Sequence, residues 1–106
     1  MLLVIGSVTA QSGQLDQALA LSQEHVARSR LENGCIAHAV HLDSENPQRL
    51  VFVEQWASKE ALWTHFMLPA SRGFGKALAG LAATPPEMRV YDASLVPIPG
   101  KTPDPP

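Results

Sequence analysis

The sequence predicts an α+β fold, in which one antiparallel four-stranded sheet carries helices on one of its faces. Runs with strand-like apolar patterning occur at the start, twice in the middle and near the end of the chain, and segments with helical spacing follow the first and third runs. A turn-forming stretch between the two middle runs predicts a hairpin. The length of 106 residues and the apolar content of 45% suit a single core.

The first part of the chain has the pattern strand, helix, strand. Residues 2–9 (LLVIGSVT) form an apolar, β-branched run that predicts a buried strand. Residues 14–32 are predicted to be helical, with Asn33-Gly34 as the stop signal. One face of this helix would carry, at helical spacing, Leu15, Leu19, Ser22, Val26 and Ser29. Residues 35–42 (CIAHAVHL) predict the second strand.

The next elements follow from turn and capping residues. Residues 43–48 (DSENPQ) predict a turn that folds a strand over 49–56 back onto the second strand. Ser58 can cap the helix that follows, and Pro69 either stops that helix or kinks it into a second piece over about 70–83.

The end of the chain is rich in proline. Pro85-Pro86 breaks the second helical piece, and residues 88–95 have the composition of a last strand. The sequence PIPGKTPDPP after it predicts an extended or mobile arm that could lie on a partner subunit. We therefore expect one domain over 1–96 and a Pro-rich tail over 97–106.

This order of elements predicts a ferredoxin-like βαββαβ fold with helices on one face of the sheet. Aliphatic and β-branched residues occur at both parities of the strands. The face without helices should therefore also be buried, and a second copy of the chain is the simplest cover. We expect a homodimer.

Composition excludes several classes of partner. The 8 Lys and Arg against 10 Asp and Glu give a net charge of -2 without long charge runs, so we expect neither a nucleic-acid nor a membrane partner. The apolar start MLLVI lacks a basic region and a cleavage signature, which predicts a cytoplasmic protein. The single cysteine, Cys35, excludes an internal disulfide and is expected to be a small buried hydrophobe.

Three stretches together resemble the antibiotic biosynthesis monooxygenase superfamily. They are Glu32 to Ile36 (ENGCI), Phe52 to Trp56 (FVEQW), and Ser58 to Leu62 (SKEAL) with His65 behind it. The resemblance covers nearly the whole chain and implies a dimeric α/β-barrel of ferredoxin-like subunits. Its members include cofactor-independent oxygenases of quinols and aromatic polyketides, and haem-degrading enzymes. This chain is most similar in general appearance to the quinol-monooxygenase-like branch.

The two other branches match less well. Relative to the polyketide oxygenases, Trp56 matches, but Phe52 stands where those enzymes have Asn. Relative to the haem degraders, His65 stands where they have Trp, and Gly75 where they have His. The resemblance therefore argues against haem, and the sequence contains neither a G-x-G-x-x-G motif nor a P-loop. We expect no cofactor.

The spacing of the four histidines argues against a metal site. No H-x-x-x-H pair occurs on a helix, and His38 and His41 should point to opposite faces of their strand. His25, on the first helix, is expected to be an ordinary surface residue.

Strand parity and helical spacing bring several candidate site residues together. Phe52, Glu54 and Trp56 share one strand face, which the resemblance turns toward the helices, where the family keeps its cavity. His65, one turn after Leu62, could point its ring toward Trp56. These two are the candidate catalytic residues. The candidate substrate-binding residues are His38, Phe52, Glu54, Trp63, Phe66 and Arg72.

Each of these residues also has a structural interpretation. Trp56 could serve only in packing, and His38 and His65 could be ordinary core or surface imidazoles. A buried Glu54 must be paired with Arg72, Arg89 or a helix N-terminus, or else its proton affinity is raised and it can act in proton transfer.

These observations predict a cofactor-independent monooxygenase that acts on a small aromatic, quinol-type molecule and dioxygen. A deprotonated quinol or anthrone can reduce dioxygen directly, so the protein needs only a dry aromatic pocket, a base and a donor near the developing oxyanion. The alternative is a protein of the same fold that binds a small aromatic ligand without turnover.

Overall fold

The computed structural model describes residues 1–101 and contains one four-stranded antiparallel sheet with helices packed on one face. The elements, in chain order, are β1 (Leu2–Thr9), α1 (Leu15–Ser29), β2 (Cys35–Leu42), β3 (Arg49–Trp56), α2 (Lys59–Met67), α3 (Pro69–Leu81) and β4 (Glu87–Asp92). The strands lie in the order β2-β3-β1-β4, which confirms the predicted ferredoxin-like fold. Among the described residues, no helix is both long and apolar enough to cross a membrane.

The predicted hairpin joins β2 to β3. Leu42 pairs with Leu50, and the turn between them is closed by Asp43. Its carboxylate accepts a hydrogen bond from the backbone N–H of Glu45 at 2.9 Å and another from Arg49 Nη1 at 2.9 Å. The turn residues therefore fix the register that places β2 beside β3.

Helix α1 is shorter than predicted. It ends at Ser29, and the chain continues in tight turns to Gly34, whose φ is +84°. A side chain at this glycine would place its Cβ 2.5 Å from the Cβ of Ala61 in α2. The stop signal therefore acts at the entry to β2, where the backbone passes close under α2, and not at the end of the helix.

Helices α2 and α3 meet at Pro69, as the sequence predicts. Ser58 accepts a hydrogen bond from the backbone N–H of Ala61 at 3.2 Å and so caps α2. Leu68 has an extended backbone, and Pro69 then begins α3. The glycines of α3 do not prevent the helix, because Phe74 and Leu78 pack it against the core.

The last strand is shorter than predicted. β4 covers only Glu87–Asp92, and its residues are exposed. Of the expected Pro-rich tail over 97–106, residues 102–106 lie outside the described residues.

The core consists of two apolar clusters on the face of the sheet that the helices cover. The first contains Val8, Ala10, Ala18, Leu50, Phe52 and Leu78, and the second contains Leu2, Val4, Trp56 and Leu62. Along β3, Glu54 lies between Phe52 of the first cluster and Trp56 of the second. A buried polar group therefore separates the two halves of the core.

Candidate functional site

A cavity of about 250 Å³ lies between the sheet and helix α3. Its apolar lining residues are Phe52, Phe66, Phe74, Leu78 and Met88, and its polar ones include Ser7, His25, Glu54, His65 and Ser71. The cavity thus combines aromatic walls with a small set of buried polar groups, the usual composition of a small-molecule site.

Three buried imidazoles form the polar centre of this region. His25 comes from α1, His38 from β2 and His65 from α2, and their exposed fractions are 6%, 2% and 3%. One ring nitrogen of each lies within 4.8 Å of those of the other two. The topology therefore assembles the cluster from three elements that are distant in sequence.

Helix α1 delivers His25 to the cluster through a face of small residues. Ala18, Ser22 and Ser29 are buried on the same face of the helix as His25. Ser22 Oγ donates to the carbonyl of Ala18, and Ser29 Oγ to that of His25, both at 2.7 Å. Because these hydroxyls are satisfied within the helix, α1 can approach its neighbours closely without leaving an unpaired polar group.

The imidazole of His25 is held against an aromatic ring. It stacks on Phe74 of α3, with ring centroids 4.0 Å apart and planes at 8°. Burial, together with the charges of the neighbouring His38 and His65, lowers the pKa of His25 to about 3. The ring is therefore neutral at neutral pH.

Glu54 is paired with residues of the sheet itself. Its Oε1 accepts a hydrogen bond from Trp56 Nε1 at 3.0 Å and lies 3.1 Å from His38 Nε2. Burial raises the pKa of Glu54, but its contacts with His38 and Trp56 outweigh burial and leave the pKa below the usual range. The expectation that an arginine pairs with Glu54 was wrong: Arg72 is exposed, and no ion pair joins Glu54 to Arg72 or Arg89 within residues 1–101.

His65 is oriented by a second carboxylate. Its Nδ1 lies 2.8 Å from Glu32 Oε1 and 3.4 Å from Ser71 Oγ. Because a carboxylate can only accept, the contact favours the tautomer with its hydrogen on Nδ1, which leaves the lone pair on Nε2. The ring also packs on Trp56, with centroids 4.6 Å apart.

The structure brings most of the predicted site residues together. Glu54, Phe52, His65 and Phe66 line the cavity, and Trp56 and His38 lie directly behind His65 and Glu54. Trp56 is fully buried in the second apolar cluster and does not line the cavity.

Two predicted substrate-binding residues lie away from the cavity. Trp63 stacks on Phe66 but is itself 49% exposed, because it follows the inward-facing Leu62 by one residue and is rotated by about 100° around the helix. Arg72 is exposed on α3. Neither lines the cavity.

The sequence interpretation missed Glu32 and Phe74 as site residues, and above all His25. The signal was present, since His25 is three residues after Ser22 and four before Ser29, and these positions were already assigned to the inner face.

Comparison with known proteins gives this geometry a family context. The family model described as "Antibiotic biosynthesis monooxygenase" matches residues 1–77, which include all the residues of the histidine cluster. A curated relative, an uncharacterised protein of Synechocystis sp., is 30% identical over 90 residues. That match covers 85% of this chain and 61% of the relative, so the chain spans about three fifths of the relative's length.

Solved structures show the same architecture. The crystal structure of an antibiotic biosynthesis monooxygenase is 26% identical, with a TM-score of 0.82 over 89% of this chain and 99% of that chain. A candidate antibiotic biosynthesis monooxygenase from Deinococcus radiodurans is also 26% identical, with a TM-score of 0.88 over 94% and 100% of the two chains. A conserved protein from Methanosarcina mazei, 19% identical with a TM-score of 0.83 over 88% and 92%, shares the fold.

Proposed function

We propose an oxidative function for this chain, because it belongs to the antibiotic biosynthesis monooxygenase family and joins an apolar cavity to buried bases. The reaction would be oxygenation of a small, electron-rich aromatic molecule of the quinol or anthrone type. The observation that carries the proposal is the position of His65, at the wall of an aromatic cavity with a carboxylate on its other ring nitrogen.

The proposed chemistry needs no external reductant. Deprotonation of a quinol gives an electron-rich anion that can reduce dioxygen. One oxygen atom then enters the ring, the other leaves as water, and the substrate, oxidised to a hydroxyquinone, supplies the remaining two electrons. The protein must accept the phenolic proton and keep water away from the reactive anion.

His65 is the residue we assign to the proton transfer. With Nδ1 on Glu32, its Nε2 is the basic nitrogen, and an ionised Glu32 stabilises the imidazolium that forms. The rings of Phe52, Phe66 and Phe74 would enclose the substrate on its apolar sides. In this proposal Trp56 is a positioning residue, because its ring packs on His65 and its Nε1 holds Glu54.

Oxygen uptake tests this proposal directly. A panel of quinols and anthrones is added to chelator-treated protein in an oxygen electrode, and the products are identified by mass spectrometry. We expect saturable uptake with at least one class, one dioxygen consumed per product, and one added oxygen atom from ¹⁸O₂. Product formed at the same rate without protein, or with no incorporated label, would contradict the proposal.

A second candidate function is binding of a small aromatic molecule without turnover. Phe52 favours it, because an apolar ring occupies the floor of the cavity where the polyketide oxygenases have a polar amide. Calorimetric titration with the same panel distinguishes the two functions. Saturable binding without oxygen uptake for any ligand supports the binding function.

A further inference from the structure

The three imidazoles of the cluster are more than the proposed proton transfer requires. That step uses His65 alone, yet His25 and His38 are equally buried and their ring centroids lie 5.2 Å and 5.8 Å from that of His65. Burying several imidazoles together is unfavourable unless their nitrogens have partners. The cluster therefore calls for a ligand that three nitrogen donors can share.

Of the three imidazoles, His38 most clearly lacks hydrogen-bond partners. It is 98% buried, and neither of its ring nitrogens makes a hydrogen bond to any residue of the described chain. Its Nε2 lies 3.1 Å from Glu54 Oε1, a contact that has the length but not the geometry of a hydrogen bond. A buried imidazole without hydrogen-bond partners has nitrogen atoms available to bind a ligand.

The separation of the nitrogens suits a metal ion after a small adjustment. One nitrogen from each ring lies within 4.8 Å of the others. Three nitrogens bound to a tetrahedral zinc ion at about 2.0 to 2.1 Å would be about 3.4 Å apart. Rotation of the imidazoles, which are attached to three different elements, can supply the difference without a change of fold.

Two carboxylates occupy the positions of outer-shell partners. Glu32 lies on Nδ1 of His65, and Glu54 on Nε2 of His38. Carboxylates in such positions orient metal-binding imidazoles and raise their basicity. When ionised, the two together balance the charge of a divalent cation.

We propose that His25, His38 and His65 bind one divalent transition-metal ion, with an open coordination position that faces the cavity. Three imidazoles are the donor set that suits zinc, iron, nickel or copper, whereas magnesium and calcium prefer oxygen ligands. The site goes beyond the proposed function, because it depends on the donor set and not on the identity of the substrate. In the metal-bound protein, His65 is a ligand, and the phenolic oxygen of a substrate could take the open position.

Metal content tests the site without any substrate. Protein without a histidine tag is stripped with a chelator, incubated with one equivalent of Co²⁺ or Zn²⁺, desalted and analysed by inductively coupled plasma mass spectrometry. We expect one ion per chain, and for Co²⁺ a visible absorption spectrum typical of nitrogen ligation. Wild-type protein that retains no ion overturns the proposal.

Variants locate the ion. Loss of one outer-shell partner typically weakens metal binding about 10- to 100-fold, so His25→Ala, which removes a ligand, should weaken it by roughly 100-fold or more. Glu32→Gln keeps all three ligands and should weaken binding by roughly 10- to 100-fold. The control is His41→Ala, since His41 is exposed on β2 and lies outside the cluster. Its metal content should equal that of the wild type.

The outcomes separate the site from the proposed function. Circular dichroism verifies that each variant is folded, and Glu32→Gln replaces His25→Ala as the decisive variant if the latter does not fold. Unchanged affinity in the folded variants overturns the site. An inactive protein that binds one ion per chain upholds it, whereas an active protein that binds none overturns it.

Discussion

In an isolated monomer we would expect apolar residues on the buried face of the sheet and polar residues on the open face. The two faces of this sheet depart from that expectation. The inner face, under the helices, carries His38 and Glu54 among its buried residues. The outer face presents apolar side chains, among them Ile5, Val53 and Tyr91, of which Ile5 is 37% exposed. Polar groups are therefore buried on one face, while apolar groups meet solvent on the other.

The difference shows that burial on the inner face serves more than stability. Its polar side chains hold one another, as Glu54 does with Trp56 and Glu32 with His65, which limits the cost of removing them from water. An apolar replacement of similar volume would pack at least as well, so the polar cluster points to chemistry. On the outer face, we propose that a second copy of the chain covers the apolar residues.

The largest effect should separate the two tryptophans of the chain, only one of which lies on the inner face. Trp56, on the inner face, is fully buried, whereas Trp63 is half exposed outside it. Trp56→Ala should lower the free energy of unfolding by about 3 to 5 kcal/mol, because it leaves a large cavity and removes the donor to Glu54. Trp63→Ala, the matched control, should cost less than about 1 kcal/mol. Urea unfolding measures both, and equal losses would contradict the burial difference.

The next largest effect concerns the chemistry of the inner face. His65→Ala should reduce kcat about 100-fold or more on any active substrate, because it removes the proposed general base. An imidazole on the surface could be replaced with little loss of stability. The buried ring, which contacts Glu32 and Trp56, predicts a loss of about 2 to 3 kcal/mol as well.

A companion variant separates the two losses. Glu32→Ala keeps the imidazole but removes its orienting carboxylate, so kcat should fall while stability changes less than in His65→Ala. Full activity in folded His65→Ala would show that this ring serves packing only, and the role of base would then pass to His38 or Glu54.

Much of the inner face follows from local sequence rules. The alternation of Phe52, Glu54 and Trp56 predicts their common face, and the structure buries all three. Ser58 predicts the start of α2, and Pro69 its end, because capping and the missing proline N–H act within a few residues. The fold class follows from the order of such local signals.

The assembly of the histidine cluster could not be predicted in the same way. Sequence spacing reveals histidine pairs within one element, whereas the cluster takes one imidazole from each of three elements. Their proximity depends on how closely α1 packs, which Ser22 and Ser29 permit and no spacing rule shows. The partner of Glu54 was not predicted for the same reason. His38 lies opposite Glu54 in the β2–β3 pairing, whereas Arg72 and Arg89 were candidates only because of their charge.

A charge introduced on the outer face should weaken the proposed dimer. Ile5 pairs with Val53 at the centre of this face. In a symmetric dimer Val53→Glu would bury two unpaired carboxylates beside the apolar neighbours Ile5 and Ala39, each at a cost of several kcal/mol, so the dissociation constant of the dimer should increase by at least about tenfold. Sedimentation velocity at several concentrations measures it. The control Gln17→Glu adds the same charge on the exposed side of α1 and should leave the dimer intact. Monomeric wild-type protein at micromolar concentration would remove the proposal of a dimer.

The smallest effect on stability should come from a substitution in the hairpin turn between β2 and β3. This turn belongs to neither face of the sheet and so serves as a control for both. The backbone N–H of Glu45 and the guanidinium of Arg49 lower the pKa of Asp43. A carboxyl group with a lowered pKa stabilises the fold fully above its unfolded pKa, which is about 3.9 for Asp, and loses this contribution as pH falls through the folded value. Asp43→Asn should therefore lower the melting temperature slightly at pH 7, and the difference should disappear near pH 2. The neighbouring Ser44→Ala, at an exposed position of the same turn, should show no such pH dependence. Because Asp43 is near the surface, added salt should weaken the stabilisation by Arg49 and leave that by the backbone N–H of Glu45. A difference in melting temperature that persists in salt therefore identifies the turn itself as its source.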